Sequence, residues 1–378
     1  MNEKITRRDF LRHSTFLCAA PAMYPLMDVF SASNAVSSES KPYLVEARFY
    51  DKLPNKRIQC QLCPRECKID DLERGYCGVR ENRDGIYYTL VHSQPCTYHV
   101  DPIEKKPLFH FLPGTVAFSL ATVGCNVECK FCQNWDISQT RPEQIQNLFL
   151  PPDKIASMAR QSRSTSIAYT YSEPVIFYEY MLDIAAAGRK QGVKSVMISN
   201  GYIKADPMKK LCEHLDAVKI DLKAITEKFY KEVVNGELKP VLDTLVLLKK
   251  QNMWTEIVYL VIPTLNDTDE EFKQLARWVK ANLGTDVPVH FTRFYPQYKL
   301  RNLPPTPTST LDKAKAIADA EGLHYVYVGN VPGHPGENTY CPKCKKIVVQ
   351  RLGFFVRDIK IKRGNCEYCG NKIPGVWQ

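Results

Sequence analysis

Eleven of the fourteen cysteines fall into three tight groups: Cys60, Cys63, Cys67 and Cys77; Cys125, Cys129 and Cys132; and Cys341, Cys344, Cys366 and Cys369. A chain of 378 residues does not need a disulfide framework to fold, so thiolates two or three residues apart read as metal ligands. The middle group, C-x3-C-x2-C, is the one suited to catalysis. A loop this short can wrap one small iron–sulfur cluster but offers three thiolates where a cubane takes four, so one iron stays open to a ligand, like the free position of a catalytic metal site. A structural zinc is the alternative, and it needs a fourth ligand nearby. The last group has two C-x2-C knuckles, which is the pattern of a zinc ribbon whose four thiolates close the coordination sphere. The first group, with Pro64 and Gly75 as turn formers, suits zinc or an auxiliary iron–sulfur centre equally. Cys96 and Cys212 stand alone and read as apolar side chains, and Cys18, which follows Leu17 rather than a small residue, does not suit a lipoprotein anchor.

Something must position these thiols. Apolar, β-rich runs recur at 116–121, 166–171, 194–199, 217–222, 256–262, 289–294 and 324–328. Segments of helical period separate them: 153–163, 175–191, 207–215, 240–251, 268–283 and 310–321. Strands alternating with helices imply parallel βα units with both sheet faces covered. The fold class is therefore α/β. A partial TIM-type (β/α)6 barrel is expected, with a doubly wound open sheet as the alternative. In either, chemistry collects at the C-terminal strand ends. Gly124-Cys125, Ser172-Glu173, Asn200-Gly201, Asp221, Lys223 and Asn330 fall there, whereas His290 sits nearer the start of its strand. Glu173 has a plainer reading as an acid at a helix N-terminus. Asp221 and Lys223, two apart on a strand and so on one face, have a plainer reading as an exposed ion pair.

An open iron can take an amino and a carboxylate group, and a low-potential cluster can pass an electron to a bound sulfonium. The chain resembles the radical S-adenosylmethionine (SAM) superfamily over roughly residues 113–330. It is similar in particular to the radical enzymes of the AmmeMemoRadiSam system, themselves like pyruvate formate-lyase-activating enzymes. The residues that carry the likeness are Cys60-Gln61-Leu62-Cys63-Pro64, Gly75 to Arg80 (GYCGVR), Asp101 to Gly114 (DPIEKKPLFHFLPG), Gly124-Cys125-Asn126, Phe131 to Trp135 (FCQNW) and the terminal cysteine pairs. The resemblance implies that Cys125, Cys129 and Cys132 hold a catalytic [4Fe–4S] cluster. It implies that Ser172, Glu173, Asn200, Asp221, Lys223 and His290 contact SAM. Tyr171-Ser172-Glu173 stands where the superfamily has Gly-Gly-Glu, so the close backbone approach that glycines permit is not assured there. The implied activity is reductive cleavage of SAM to a 5'-deoxyadenosyl radical, which takes hydrogen from a macromolecular substrate. Activation of a glycyl radical enzyme is one version; modification of another protein, or of an RNA, is another. A low-potential electron donor is the implied partner. A multi-cluster electron carrier or a partner-recruiting metal protein is the rival function.

The rest of the chain sets limits. No uncharged apolar run is long enough to span a bilayer, so no stable membrane insertion is expected. The N-terminal Thr6-Arg7-Arg8-Asp9-Phe10-Leu11, an apolar stretch and a small-residue tail to Ala35 match a twin-arginine export signal, with a cytoplasmic location as the alternative. The domains expected are this signal at 1–35, a Cys-rich unit at 41–112, the core at 113–330 and a ribbon at 335–378. Of the net charge of +10, a net +6 lies in the ribbon segment, which suits an acidic partner or a plain solvated surface.

Overall fold

The computed structural model describes residues 44–377. The arginine pair, Ala35 and Cys18 lie outside them. The seven apolar runs form seven strands of one sheet, and an eighth joins at its edge. In chain order these are β1 (Thr97–Pro102), β2 (Val116–Ala121), β3 (Ser166–Tyr169), β4 (Lys194–Ser199), β5 (Ala217–Asp221), β6 (Trp254–Val261), β7 (Val289–Arg293) and β8 (Val326–Gly329). From β2 to β8 neighbours are parallel and follow chain order, while β1 runs antiparallel to β2, with Thr97 opposite Ala121. A doubly wound sheet reverses its order at a switch point, and this one does not.

Each parallel step is made through a helix: α1 (Pro152–Gln161), α2 (Tyr178–Lys190), α3 (Ala205–Cys212), α4 (Leu238–Lys250), α5 (Asp269–Leu283) and α6 (Thr308–Ala320). The starts and stops follow local chemistry. Thr268 and Glu271 form a reciprocal capping box at the head of α5, and Gly284 ends it. Proline occupies the first turn of α1 and of the 3-10 turn Pro174–Phe177 that leads into α2.

Side chains alternate across the sheet. Phe118, Ile167, Met197, Val218, Ile257 and Phe291 face the helices and form the large core with them. On the other face Ala117, Ala168 and Ala217 are small, and Val196 and Ile198 complete the surface. That leaves room for the segment after β1, whose Ile103, Leu108, Phe111 and Leu112 pack onto it. Leu108 and Phe111 are fully buried there, worth about 1.5–3 kcal/mol each. The DPIEKKPLFHFLPG stretch is thus a filling for the sheet's second face.

Before β1, residues 45–89 make two small three-stranded antiparallel sheets that carry the first cysteine group. After β8, a three-stranded antiparallel sheet and the short hairpin Ile361–Lys362/Asn365–Cys366 carry the last group. No helix among the described residues is long and apolar enough to cross a membrane.

Candidate active site

The loop leaving β2 turns at Gly124, whose φ is +97°. A β-carbon there would lie 2.8 Å from the carbonyl oxygen of Cys77 and 2.7 Å from Val79, so only glycine fits. Beyond it the loop is pinned from outside: the amides of Glu128 and Lys130 donate to the carbonyls of Val234 and Val233, at 3.0 and 2.9 Å. The Cys132 amide closes a turn onto the Cys129 carbonyl, and the Cys132 sulfur meets the Ser138 hydroxyl at 3.2 Å.

These thiols form one wall of a cavity of about 260 Å³ at the C-terminal ends of the strands. Cys125, Cys129 and Cys132 come from the β2 loop, Ser172 and Glu173 from the end of β3, Asn200 from β4, and Asp221 and Lys223 from β5. Glu173 is buried and fully engaged: Ser199 Oγ donates to Oε1 at 2.7 Å, the Asn200 amide to Oε2 at 2.8 Å, and the Val175 amide to Oε1 at 3.1 Å. The last bond is the helix-capping role; the first two aim the carboxylate between β3 and β4. Burial pushes its pKa up to about 7 although these donors pull it down. Asn200 Nδ2 donates to Asn126 Oδ1 at 2.9 Å and points at the Cys125 sulfur, 4.0 Å away.

Asp221 lies between two ammoniums, accepting from Lys223 Nζ at 2.9 Å and from Lys219 on its other oxygen. Burial would raise it, but the two lysines override that and hold it at about 2. Lys223 is raised above its ordinary range, the pull of Asp221 and the Cys129 sulfur outweighing burial. The pair is therefore no exposed surface contact. Burial pushes the Cys125 thiol far up, and the Cys129 thiol up to about 12 with Lys223 opposing. Three thiols on one wall of a cavity, two of them with raised pKa values, are poor as free groups and good as ligands that lose their protons to a metal.

Tyr171 occupies the left-handed region at φ +65°, the conformation a glycine would adopt freely. The backbone therefore follows the turn that the missing glycines would favour. Asn134 Nδ2 holds its carbonyl at 2.7 Å, and its hydroxyl bonds Asp101, which also accepts from Lys106 at 2.6 Å. Ser172 turns its hydroxyl to the Thr122 carbonyl at 2.6 Å.

His290 does not line the cavity, contrary to expectation. It shares a strand face with Thr292, which does, but sits two residues deeper. There its Nε2 donates to Glu256 Oε2 at 2.8 Å, and Phe109 packs edge-on at 4.7 Å. Burial would raise Glu256, yet His290 and the amides of Phe109 and His110 keep it below the ordinary carboxylate range. His290 ties the filling segment to the sheet. Conversely, Lys219 and Thr292 line the cavity without having been singled out. Lys219 continues the every-second-residue register of Asp221 and Lys223, a signal the sequence did contain.

A wider cleft of about 720 Å³ opens on the far side of Cys125. Three of its charged groups are spent on one another, Arg74 pairing with Glu81 and Glu143 at 2.8 and 2.7 Å. The smaller cavity, where four strand ends converge, is the better candidate.

In the C-terminal group Cys341 and Cys369 bring their sulfurs to 3.6 Å, and Cys344 and Cys366 to 3.8 Å; all four lie within 4.8 Å of one another. A tetrahedral ion at 2.3 Å from each sulfur requires separations of about 3.8 Å. This group can hold a single metal ion.

Sheet, loop and cavity together define an α/β enzyme whose site is built at the C-terminal edge of parallel strands. The family described as "Radical SAM superfamily" matches residues 119–279. An uncharacterized protein of Methanocaldococcus jannaschii is 45% identical over 335 residues, covering 88% of this chain and 99% of its own. The pyruvate formate-lyase 1-activating enzyme of Escherichia coli is 22% identical over 228 residues, 56% of this chain and 91% of its own. Among solved structures, a radical SAM methyltransferase from Sphaerobacter thermophilus aligns at TM-score 0.46 and 16% identity, over 60% of this chain and 71% of that one. The chain belongs to the radical SAM superfamily. Membership brings SAM-cleaving radical chemistry, and with it a [4Fe–4S] cluster and SAM as the family's cofactors.

Proposed function

We propose that the protein is a radical SAM enzyme in which Cys125, Cys129 and Cys132 hold the cluster and the adjoining cavity holds SAM. The observation that carries this is the single cavity walled by those three thiols together with Glu173, Asn200, Asp221 and Lys223. When bound, the cluster supplies one electron to SAM, whose C–S bond breaks to give methionine and a 5'-deoxyadenosyl radical.

The chain's own residues then divide the work. Glu173, fixed by Ser199 and Asn200, accepts a charge-assisted hydrogen bond from the methionine ammonium, whose positive charge favours the ionised carboxylate. Lys223, anchored on Asp221, presents a cation beside the Cys129 sulfur, stabilising thiolate and carboxylate charge. Asn200 faces the Cys125 sulfur and orders the loop through Asn126. Val258 and Leu260 supply apolar wall. The sheet that lets these strand ends converge is, in this reading, a partial barrel of six βα units, and the C-terminal group is a zinc ribbon.

The substrate is macromolecular, a protein before an RNA, with activation of a glycyl radical enzyme as the version that the activating-enzyme relative favours. Anaerobic reconstitution, reduction with dithionite and chromatography for 5'-deoxyadenosine test the reading. Product from the wild type and none from Cys129→Ala is expected. No product from the wild type, under conditions where a known activating enzyme works, would overturn it.

A further inference from the structure

The two four-cysteine groups differ in a way their similar composition hides. The C-terminal sulfurs lie within 4.8 Å of one another, a single-ion spacing; among the described residues no three sulfurs of Cys60, Cys63, Cys67 and Cys77 do. Yet all four line one hollow with a free volume of about 20 Å³. Four thiols around a space, too far apart for one ion, are what a core of several metal atoms requires.

The walls suit an anionic core. Arg65 and Arg80 both border the hollow. Arg80 is buried and balanced by Glu179, at 2.5 Å. Arg65 donates to the carbonyls of Asn126 and Asn235 and stacks on Tyr76, 3.6 Å from its centroid, with no carboxylate partner among the described residues. Its charge is uncommitted. The Tyr87 hydroxyl, fully buried at the same wall, has no partner at hydrogen-bonding geometry among the described residues. It is a donor facing the sulfurs. The hollow also adjoins the catalytic loop: Asn126 borders it, and the Cys77 carbonyl is the group packed against Gly124.

We propose that Cys60, Cys63, Cys67 and Cys77 hold a second, fully thiolate-ligated iron–sulfur cluster of the [4Fe–4S] type, bordered by Arg65 and Tyr87. Four thiolates saturate its irons, so it leaves no position for SAM and is distinct from the three-thiolate site.

The full-length chain, prepared anaerobically with iron and sulfide, tests this without reference to SAM cleavage. The variant Cys125→Ala/Cys129→Ala/Cys132→Ala should keep about four irons and four sulfides per chain and show the paramagnetic signal of a reduced cubane. Wild type should carry about twice that. Adding Cys63→Ala and Cys77→Ala to the triple variant should remove the remainder while the ion at Cys341–Cys369 stays. A folded triple variant without sulfide, with or without a second zinc ion, overturns the proposal. If the triple variant does not fold, the wild-type count decides: about eight irons supports the second cluster and about four overturns it. A wild type that holds both clusters but never cleaves SAM would overturn the proposed activity and leave this site standing.

Discussion

Nζ of Lys223 lies 2.9 Å from Oδ2 of Asp221, and the opposite oxygen of that carboxylate is held by Lys219. One anion thus serves two cations. Among the described residues neither lysine has another acidic partner. Replacing Asp221 by Asn removes the shared counter-charge and leaves two largely buried ammoniums facing each other. The expected cost is about 3–5 kcal/mol, read by denaturant unfolding, together with loss of 5'-deoxyadenosine formation. Combining Asp221→Asn with Lys219→Met should restore part of the stability, since one uncompensated charge goes. A double variant no more stable than the single one would show that the two lysines do not share the carboxylate.

Glu173 gives the site a pH dependence with a definite sign. Burial raises its pKa from 4.5 to about 7, so the folded protein holds its proton more tightly than the unfolded chain does. That contribution is complete below about pH 4.5 and is lost as pH rises through about 7. In metal-free protein the loss amounts to about 3 kcal/mol between those limits. Glu173→Gln, which cannot ionise, should flatten this part of the stability profile. SAM binding should run the other way. A bound ammonium needs the ionised form, so affinity should rise with pH up to about 7 and level off. Calorimetric titration of the cluster-loaded enzyme from pH 5.5 to 8.5 measures it, and an affinity that falls over that range would contradict the assignment.

Gly124 separates two penalties that a side chain can incur. Its φ is +97° and a β-carbon would strike the Cys77 carbonyl, whereas Gly192, at φ +73°, has nothing within 4 Å of a β-carbon. Gly192→Ala should cost about 1 kcal/mol, the backbone term alone. Gly124→Ala should cost about 2 kcal/mol or more, and should reduce iron loading because the displaced loop carries Cys125. Equal costs at the two positions would mean that the contact between the cysteine loops is not tight.

The sequence was most readable where one rule governs. Strands covered on both faces are unbroken apolar runs, and their bounds emerge within a residue or two, as at Val116–Ala121 and Lys194–Ser199. The antiparallel β1 (Thr97–Pro102) escapes that rule. It reads Thr-Tyr-His-Val-Asp-Pro, is largely exposed and ends in proline, so neither apolarity nor propensity marks it. The cysteine loop and Glu173 were legible because position after a strand limits what a polar group is for. His290 was misleading for a related reason: period two assigns a face but not a depth, and two residues separate the cavity from the packed layer beneath. The members of that layer, His290, Glu256 and the adjacent Phe109 and His110, come from three places in the chain, and no local pattern announces their meeting. Whether four cysteines hold one ion or a cluster was likewise invisible, because spacing in sequence does not fix the distance between sulfurs.

The C-terminal cysteines bear on the stability of the whole sheet. Beyond Cys369 the chain returns to the filling segment: the Leu112 amide donates to the Val376 carbonyl at 2.6 Å, and His110 Nδ1 donates to the Pro374 carbonyl at 2.7 Å. His110 in turn accepts from the Tyr327 hydroxyl at 2.5 Å, on β8. An ion drawing Cys341, Cys344, Cys366 and Cys369 together therefore fixes the tail that clamps residues 101–114 under the sheet. One zinc ion per chain is expected by elemental analysis, released by a strong chelator and absent from Cys344→Ala/Cys369→Ala. Its removal should lower the unfolding temperature of the entire chain by about 5 °C or more, not merely melt the C-terminal segment. Scanning calorimetry with and without chelator distinguishes these: a separate low-temperature transition with the main one unmoved would mean that the tail's hydrogen bonds hold without the metal.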